Sequence, residues 1–316
     1  MSQPPRSIVF LDRATLGVPL PRPRFAHEYV EYAATAPEQV VERLQAADIA
    51  IVNKVPLREA TLVQLPRLEL IAVAATGTDV IDKGYCRRRG IAVTNIRNYA
   101  VNTVPEHTLA LIFALRRSLF AYAQDVRRGR WGEVDQFCYF DHPIRDISGS
   151  TIGIVGYGAL GRAVAARAQG LGMRVLATDI VDFPGRSDLG KLLVESDIVT
   201  LHCPLTPQTR GIIGAAQLAV MKPSAILINT ARGGLVDEAA LVAALRAGRI
   251  AGAGVDVLTS EPPKHGNVLL EYDRPNLIVT PHVAWASVEA MTTLAEQLVG
   301  NIEAFVAGTP RNLVED

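Results

Sequence analysis

The sextet Gly156-Tyr157-Gly158-Ala159-Leu160-Gly161 constrains this chain more than any other feature. The apolar run at 151–155 leads into it, and the amphipathic stretch at 159–171 leaves it. A strand that passes through three spaced glycines into a helix implies a parallel βαβ unit of the dinucleotide-binding type. Gly156 permits the tight turn, Gly158 lets a pyrophosphate approach the backbone, and Gly161 allows the helix to sit close on the strand. The phosphates then sit at the N-terminus of the helix that follows, whose N–H groups point at anions. Asp179 lies eighteen residues beyond Gly161, at the end of the next predicted strand. A carboxylate there accepts hydrogen bonds from the adenosine ribose hydroxyls and repels a 2′-phosphate. The residues that follow it, Ile180 and Val181, supply no compensating cation, so NAD is expected over NADP.

The same strand-and-helix alternation runs along nearly all 316 residues. Short apolar runs at 7–11, 49–52, 70–74 and 91–95 read as strands, with helical spacing at 37–46. A long helix is predicted over 102–117, followed by a loop-rich aromatic stretch at 129–149. A second series of strands is predicted at 151–155, 174–178, 198–202, 225–230, 254–257 and 277–281, closed by a helix at 288–306. This pattern predicts an α/β protein of doubly wound parallel sheets.

Thirty-two basic residues balance thirty-two acidic ones, a poor footprint for nucleic acid or an anionic membrane. Cys86, Cys138 and Cys203 are odd in number and lack a CxxC spacing, which fits reduced thiols rather than disulfides or a zinc site. No apolar run has the length of a signal-peptide core or a membrane span. A cytoplasmic protein without a metal is expected.

Chemistry on a bound nicotinamide needs a group that moves a proton, and histidine titrates near neutrality. His282 and His202 both end predicted strands, the edge along which open α/β sheets bind ligands, so position alone leaves both open. Arg232 also ends a strand, and a guanidinium can hold a carboxylate bidentately. Glu261 follows another strand and could pair with a histidine. Taken singly, each has an ordinary reading as a surface ion pair, a solvated loop acid or a capping residue.

The order of these elements resembles the D-isomer-specific 2-hydroxyacid dehydrogenases along the whole chain. The matching stretches are AATGTDVID (74–82), YAVNTVPEHTLALIFALRR (99–117), GIVGYGALGRAVA (153–165), LHCPLTPQTRGII (201–213), INTARGGLVDEAAL (228–241), GVDVLTSEPP (254–263) and TPHVAWAS (280–287). FLDRATL (10–16), NKVPL (53–57), DQFCYFDHPIRDISGST (135–151) and the tryptophan of PHVAWAS resemble the NAD-dependent glycerate dehydrogenases, or hydroxypyruvate reductases, within it.

The resemblance implies that His282 protonates a carbonyl oxygen, that Glu261 hydrogen-bonds His282 and raises its pKa, and that Arg232 grips a 2-oxoacid carboxylate. Thr76 and Gly77 would help Arg232 through their backbone amides, and Trp285 would wall the substrate. Ala159 and Leu160 would lie over the pyrophosphate, His202, Cys203 and Pro204 would line the adenosine half of the cofactor, and Thr230, Ala231 and Asp256 the nicotinamide side. It also implies a flavodoxin-like substrate domain, 1–101 completed by 287–316, and a Rossmann domain, 102–286, with substrate in the cleft between them. A homodimer built on the 103–117 helix and the aromatic loop is expected, with no regulatory domain after Asp316. The segment after Asp179 is shorter than in many members of the family, so one element of the second series is expected to be abbreviated, with Arg186 nearer the ribose. The implied reaction is reversible transfer of hydride between NADH and a small 2-oxoacid, hydroxypyruvate first and glyoxylate second. The alternatives are another 2-oxoacid or a nicotinamide-sensing corepressor of the same fold.

Overall fold

A computed structural model describes residues 5–314. The chain divides into two compact units, Met1–Tyr99 with Ala286–Asp316, and Ala100–Trp285.

In the first unit β1 (Arg6–Phe10), β2 (His27–Glu31), β3 (Ile49–Val52), β4 (Leu70–Val73) and β5 (Ala92–Thr94) form one parallel sheet in the order β2-β1-β3-β4-β5. That is the flavodoxin-like order, with its switch of winding direction between β1 and β3. Short helices α1 (Val40–Leu44), α2 (Glu59–Leu62) and α3 (Lys83–Arg89) connect the strands. The central strands β3 and β4 are wholly buried, as expected of a sheet covered on both faces. Strand β2 was not foreseen in the sequence. Its HEYVE sets a tyrosine and a valine between two glutamates, and none of its five residues is buried. As an edge strand it needs only one neighbour and no continuous apolar run.

The second unit begins with α4 (Thr103–Arg116) and α5 (Leu119–Arg127). It continues with β6 (Thr151–Val155), α6 (Ala159–Gly170), β7 (Arg174–Thr178), α7 (Leu189–Glu195), β8 (Ile198–Leu201), α8 (Ala215–Val220), β9 (Ile226–Asn229), α9 (Glu238–Arg246), β10 (Gly252–Val255) and β11 (Leu277–Val279). The six strands are all parallel, in the order β11-β10-β9-β8-β6-β7. The chain winds one way from β6 to β7 and the other way from β8 onward, so the switch point lies between β6 and β8. One face is filled by Leu111 and Ile112 of α4 with Val164, Ala165 and Ala168 of α6. The other is filled by Leu192 and Leu193 of α7, Leu218 of α8, and Leu241 and Leu245 of α9.

The expected abbreviation falls on the β7–β8 crossover, whose helix α7 has seven residues. Asp188 caps that helix by accepting from the Gly190 and Lys191 N–H groups, at 2.8 and 3.2 Å. Strand β10 starts and ends two residues earlier than its sequence pattern predicts. Its register on β9, Gly252 opposite Ile226 to Val255 opposite Asn229, leaves Asp256 just past the strand end.

The chain then returns to the first unit as α10 (Val288–Val306). Ser287 caps it by accepting from the Ala290 N–H at 3.1 Å. Its face of Leu294, Ala295, Leu298 and Ile302 is buried, and the helix packs on β4.

Candidate active site

Because all six strands of the second unit are parallel, their carboxyl ends lie along one edge. That edge carries Gly156 after β6, Asp179 after β7, His202 after β8, Arg232 after β9, Asp256 and Glu261 after β10, and His282 after β11.

The glycine loop is shaped by what surrounds it. Gly156 has φ +97°, and a Cβ on it would overlap the Cys203 nitrogen. A Cβ on Gly161 would overlap the Gly156 carbonyl oxygen, so the helix can start this close to the strand only with glycine there. Gly158 faces open space. Helix α6 has no capping side chain and no acid in its first turn. Its first N–H groups, at Ala159, Leu160 and Gly161, therefore keep the anion-seeking character of a free helix N-terminus. Asp179 is held by backbone on both oxygens, accepting from the Tyr157 N–H at 2.5 Å and the Val181 N–H at 3.3 Å. Arg186 turns toward Asp182, 3.6 Å away. This donor set suits a dinucleotide.

His202 and Cys203 pack beside Gly156. The His202 Nε2 bonds Thr200 Oγ1 at 2.9 Å, while its buried Nδ1 has no hydrogen-bond partner. Burial pushes its pKa down to about 4, so the ring is neutral. The Cys203 thiol is pushed up to about 11 by burial, which keeps it protonated and a poor nucleophile.

Arg232 sits in a braced loop. Asn229, buried, accepts from the Ala231 N–H at 3.1 Å and donates to the Arg232 carbonyl at 2.8 Å. The next residue, Gly233, lies so close to the Leu258 backbone that a Cβ would overlap its carbonyl carbon. This contact sets the Arg232 loop directly against the one leading to Glu261. Glu261 in turn accepts from the Leu258 N–H at 2.7 Å through Oε1. Its Oε2 accepts from His282 Nδ1 at 2.6 Å. Of the two strand-end histidines left open by position, His282 is the one that carries a carboxylate partner.

His282 itself has φ +55°, a left-handed backbone that costs a non-glycine residue about 1–2 kcal/mol. Asp256, 1% exposed, holds that turn. Its carboxylate accepts from Thr280 Oγ1 at 2.5 Å, the Val283 N–H at 3.0 Å and the Ala284 N–H at 2.8 Å. Each hydrogen bond to a charged group contributes about 1.5–3 kcal/mol, so the three together outweigh the strain. The His282 N–H donates to the Asp256 carbonyl at 2.8 Å, and Trp285 Nε1 donates to the His282 carbonyl at 3.0 Å. Spacing alone does not show this bracing role of Asp256, nor that of Asn229. In the first unit, Thr76 and Gly77 lie in the loop after β4, where Thr76 Oγ1 donates to the Ile96 carbonyl at 2.7 Å. Among the described residues no group of side chains could hold a metal ion, and no helix is long and apolar enough to cross a membrane.

Comparison with known proteins gives a consistent result. The family model "D-isomer specific 2-hydroxyacid dehydrogenase, NAD binding domain" matches residues 109–284. A glycerate dehydrogenase of Methylorubrum extorquens is 62% identical, covering 98% of this chain and 99% of its own. A hydroxypyruvate reductase of Blautia hydrogenotrophica is 37% identical over 90% of each chain. Among solved structures, a D-lactate dehydrogenase of Aquifex aeolicus complexed with NAD and lactic acid superposes with a TM-score of 0.83, at 28% identity, covering 98% of this chain and 99% of that one.

The His202 geometry makes a stability prediction. The unfolded chain binds that proton near 6.5 and the folded chain only near 4. Stability should therefore fall as pH drops through this window, and be unaffected by His202 above it. Full protonation corresponds to about 3 kcal/mol or less. Urea unfolding at about pH 7 and about pH 4.5 should show His202→Asn losing less stability on acidification than the wild type. Equal losses would remove His202 from the acid response.

Proposed function

The chain belongs to the D-isomer-specific 2-hydroxyacid dehydrogenase family, and on that premise we propose that it interconverts hydroxypyruvate and D-glycerate. The observation that carries this reading is the His282–Glu261 pair at 2.6 Å, on the sheet edge that also bears Arg232. Bound NADH supplies the hydride for the carbonyl carbon. His282 supplies the proton for the carbonyl oxygen. Its Nδ1 faces Glu261, so the donated proton leaves from Nε2, and the Glu261 carboxylate orients the ring. Arg232 holds the substrate carboxylate, and Trp285 bounds the substrate.

For the cofactor, the N–H groups at Ala159, Leu160 and Gly161 hold the pyrophosphate over Gly156 and Gly158. Asp179 takes the adenosine ribose and sets the preference for NAD over NADP. His202, Cys203 and Pro204 wall the adenosine half, with Thr230, Ala231 and Asp256 on the nicotinamide side. The choice of hydroxypyruvate is supported by the glycerate dehydrogenase and hydroxypyruvate reductase relatives. Three free thiols fit work in a reducing cytoplasm.

We further propose that the working form is a homodimer joined through α5 and the aromatic segment after it. Trp131, Phe137 and Phe140 are 53%, 88% and 83% exposed there, beside exposed Leu119, Phe120, Val126 and Ile144. So many exposed apolar side chains in one short stretch of chain mark an association surface. Sedimentation should give a dimer that Phe137→Asp with Phe140→Asp converts to monomer; a wild-type monomer would refute the assembly.

The activity is tested by NADH oxidation against hydroxypyruvate, glyoxylate, pyruvate, phenylpyruvate and 3-phosphohydroxypyruvate, repeated with NADPH and with Asp179→Ala. Hydroxypyruvate should give the highest kcat/KM, and Asp179→Ala should narrow the gap between NADH and NADPH. A kcat/KM highest for a bulkier acid would overturn the glycerate assignment while leaving the chemistry intact. Absence of turnover with every acid would overturn both.

A further inference from the structure

The first two turns of α4 carry Thr103, His107 and Thr108. All three side chains reach the carboxyl edge of the second unit's sheet. Thr103 Oγ1 donates to the Ala284 carbonyl at 3.1 Å, and Thr108 Oγ1 meets Thr230 Oγ1 at 3.1 Å. His107 Nε2 lies 3.0 Å from Thr280 Oγ1 and 3.6 Å from Asp256 Oδ1. The Thr280 hydroxyl has a single proton, and it goes to the Asp256 carboxylate at 2.5 Å. Thr280 must therefore accept from His107, which puts a proton on His107 Nε2.

The left-handed turn at His282 is thus gripped from two sides. Asp256 binds its backbone at Val283 and Ala284. Helix α4 binds Thr280 before it and the Ala284 carbonyl after it. The sheet edge alone would leave Thr280 Oγ1 with one partner and nothing to fix its height above Asp256.

We propose that His107 is a positioning residue for His282: its Nε2–H fixes the Thr280 hydroxyl, which fixes Asp256 and with it the turn that aims the imidazole. Thr108, bonded to Thr230 two residues before Arg232, gives the same helix a hold on the carboxylate-binding loop. Helix α4 therefore sets both groups in register. The inference rests on the reading of His282 as the proton donor.

The test compares His107→Phe, which keeps a ring but no donor, with His107→Gln, whose amide nitrogen stands close to where Nε2 was. Thr280→Val removes the hydroxyl instead. Four quantities are read: kcat and KM with hydroxypyruvate, the Kd of NADH by fluorescence, and the ring nitrogen shifts of His282, assigned by their loss in His282→Ala. Misaiming a catalytic group by a fraction of an ångström should lower kcat about tenfold in His107→Phe and in Thr280→Val. KM and the NADH Kd should stay within about twofold, because neither substituted side chain itself touches substrate or cofactor. The His282 resonances should move in both variants, and His107→Gln should restore most of kcat and the wild-type shifts. A wild-type kcat and unmoved His282 signals in His107→Phe would overturn the proposal. So would equal losses of kcat and NADH affinity in His107→Phe and His107→Gln, the signature of general damage. If the wild type reduced no 2-oxoacid, the functional reading would fail, and the His282 shifts would still decide whether His107 governs the turn.

Discussion

A carboxylate taken out of water must find hydrogen-bond donors, and Asp256 finds them in the turn that carries His282. Its two oxygens accept from Thr280, Val283 and Ala284, and its own carbonyl accepts the His282 N–H. The turn is thereby held with His282 at φ +55° and Nδ1 against Glu261. Nothing in the local sequence favours a left-handed histidine. The conformation exists because a buried negative charge at the end of β10 gathers the backbone at the end of β11.

The sheet makes such a meeting inevitable. Parallel strands in register bring every carboxyl end to one edge, so residues from separate strands, such as Gly156 and Cys203 or Asp256 and His282, become neighbours. Two close backbone approaches then finish the site. Gly156 lets the end of β8 press on the nucleotide loop, and Gly233 lets the loop after β9 press on the one after β10. In both places even a methyl group would overlap main-chain atoms, and main chain cannot rotate away as a side chain can.

Much of this was legible beforehand, for physical reasons. The glycine sextet, the strand-ending positions of Arg232, Glu261 and His282, and the parallel architecture all express local patterns. Choosing His282 over His202 was not possible from position, since both end strands. The difference lies in their surroundings: His282 meets Glu261, whereas His202 is enclosed with an unpartnered Nδ1 and a pKa near 4. The bracing of His282 by Asp256, Thr280 and His107 joins three separate segments of the chain, and no periodicity reports such a network. Strand β2 escaped notice because an exposed edge strand needs no apolar run, and α5 because its Leu119 and Phe120 face outward.

The account stands most directly on the assignment of His282 as the proton donor placed by this network. Its sharpest test is His282→Ala, measured both for NADH affinity and for turnover of hydroxypyruvate. The account predicts NADH binding within about twofold of wild type and a kcat lowered by about a hundredfold or more, the usual contribution of a positioned acid. A variant that loses NADH binding together with turnover, or one that turns over at the wild-type rate, would contradict it.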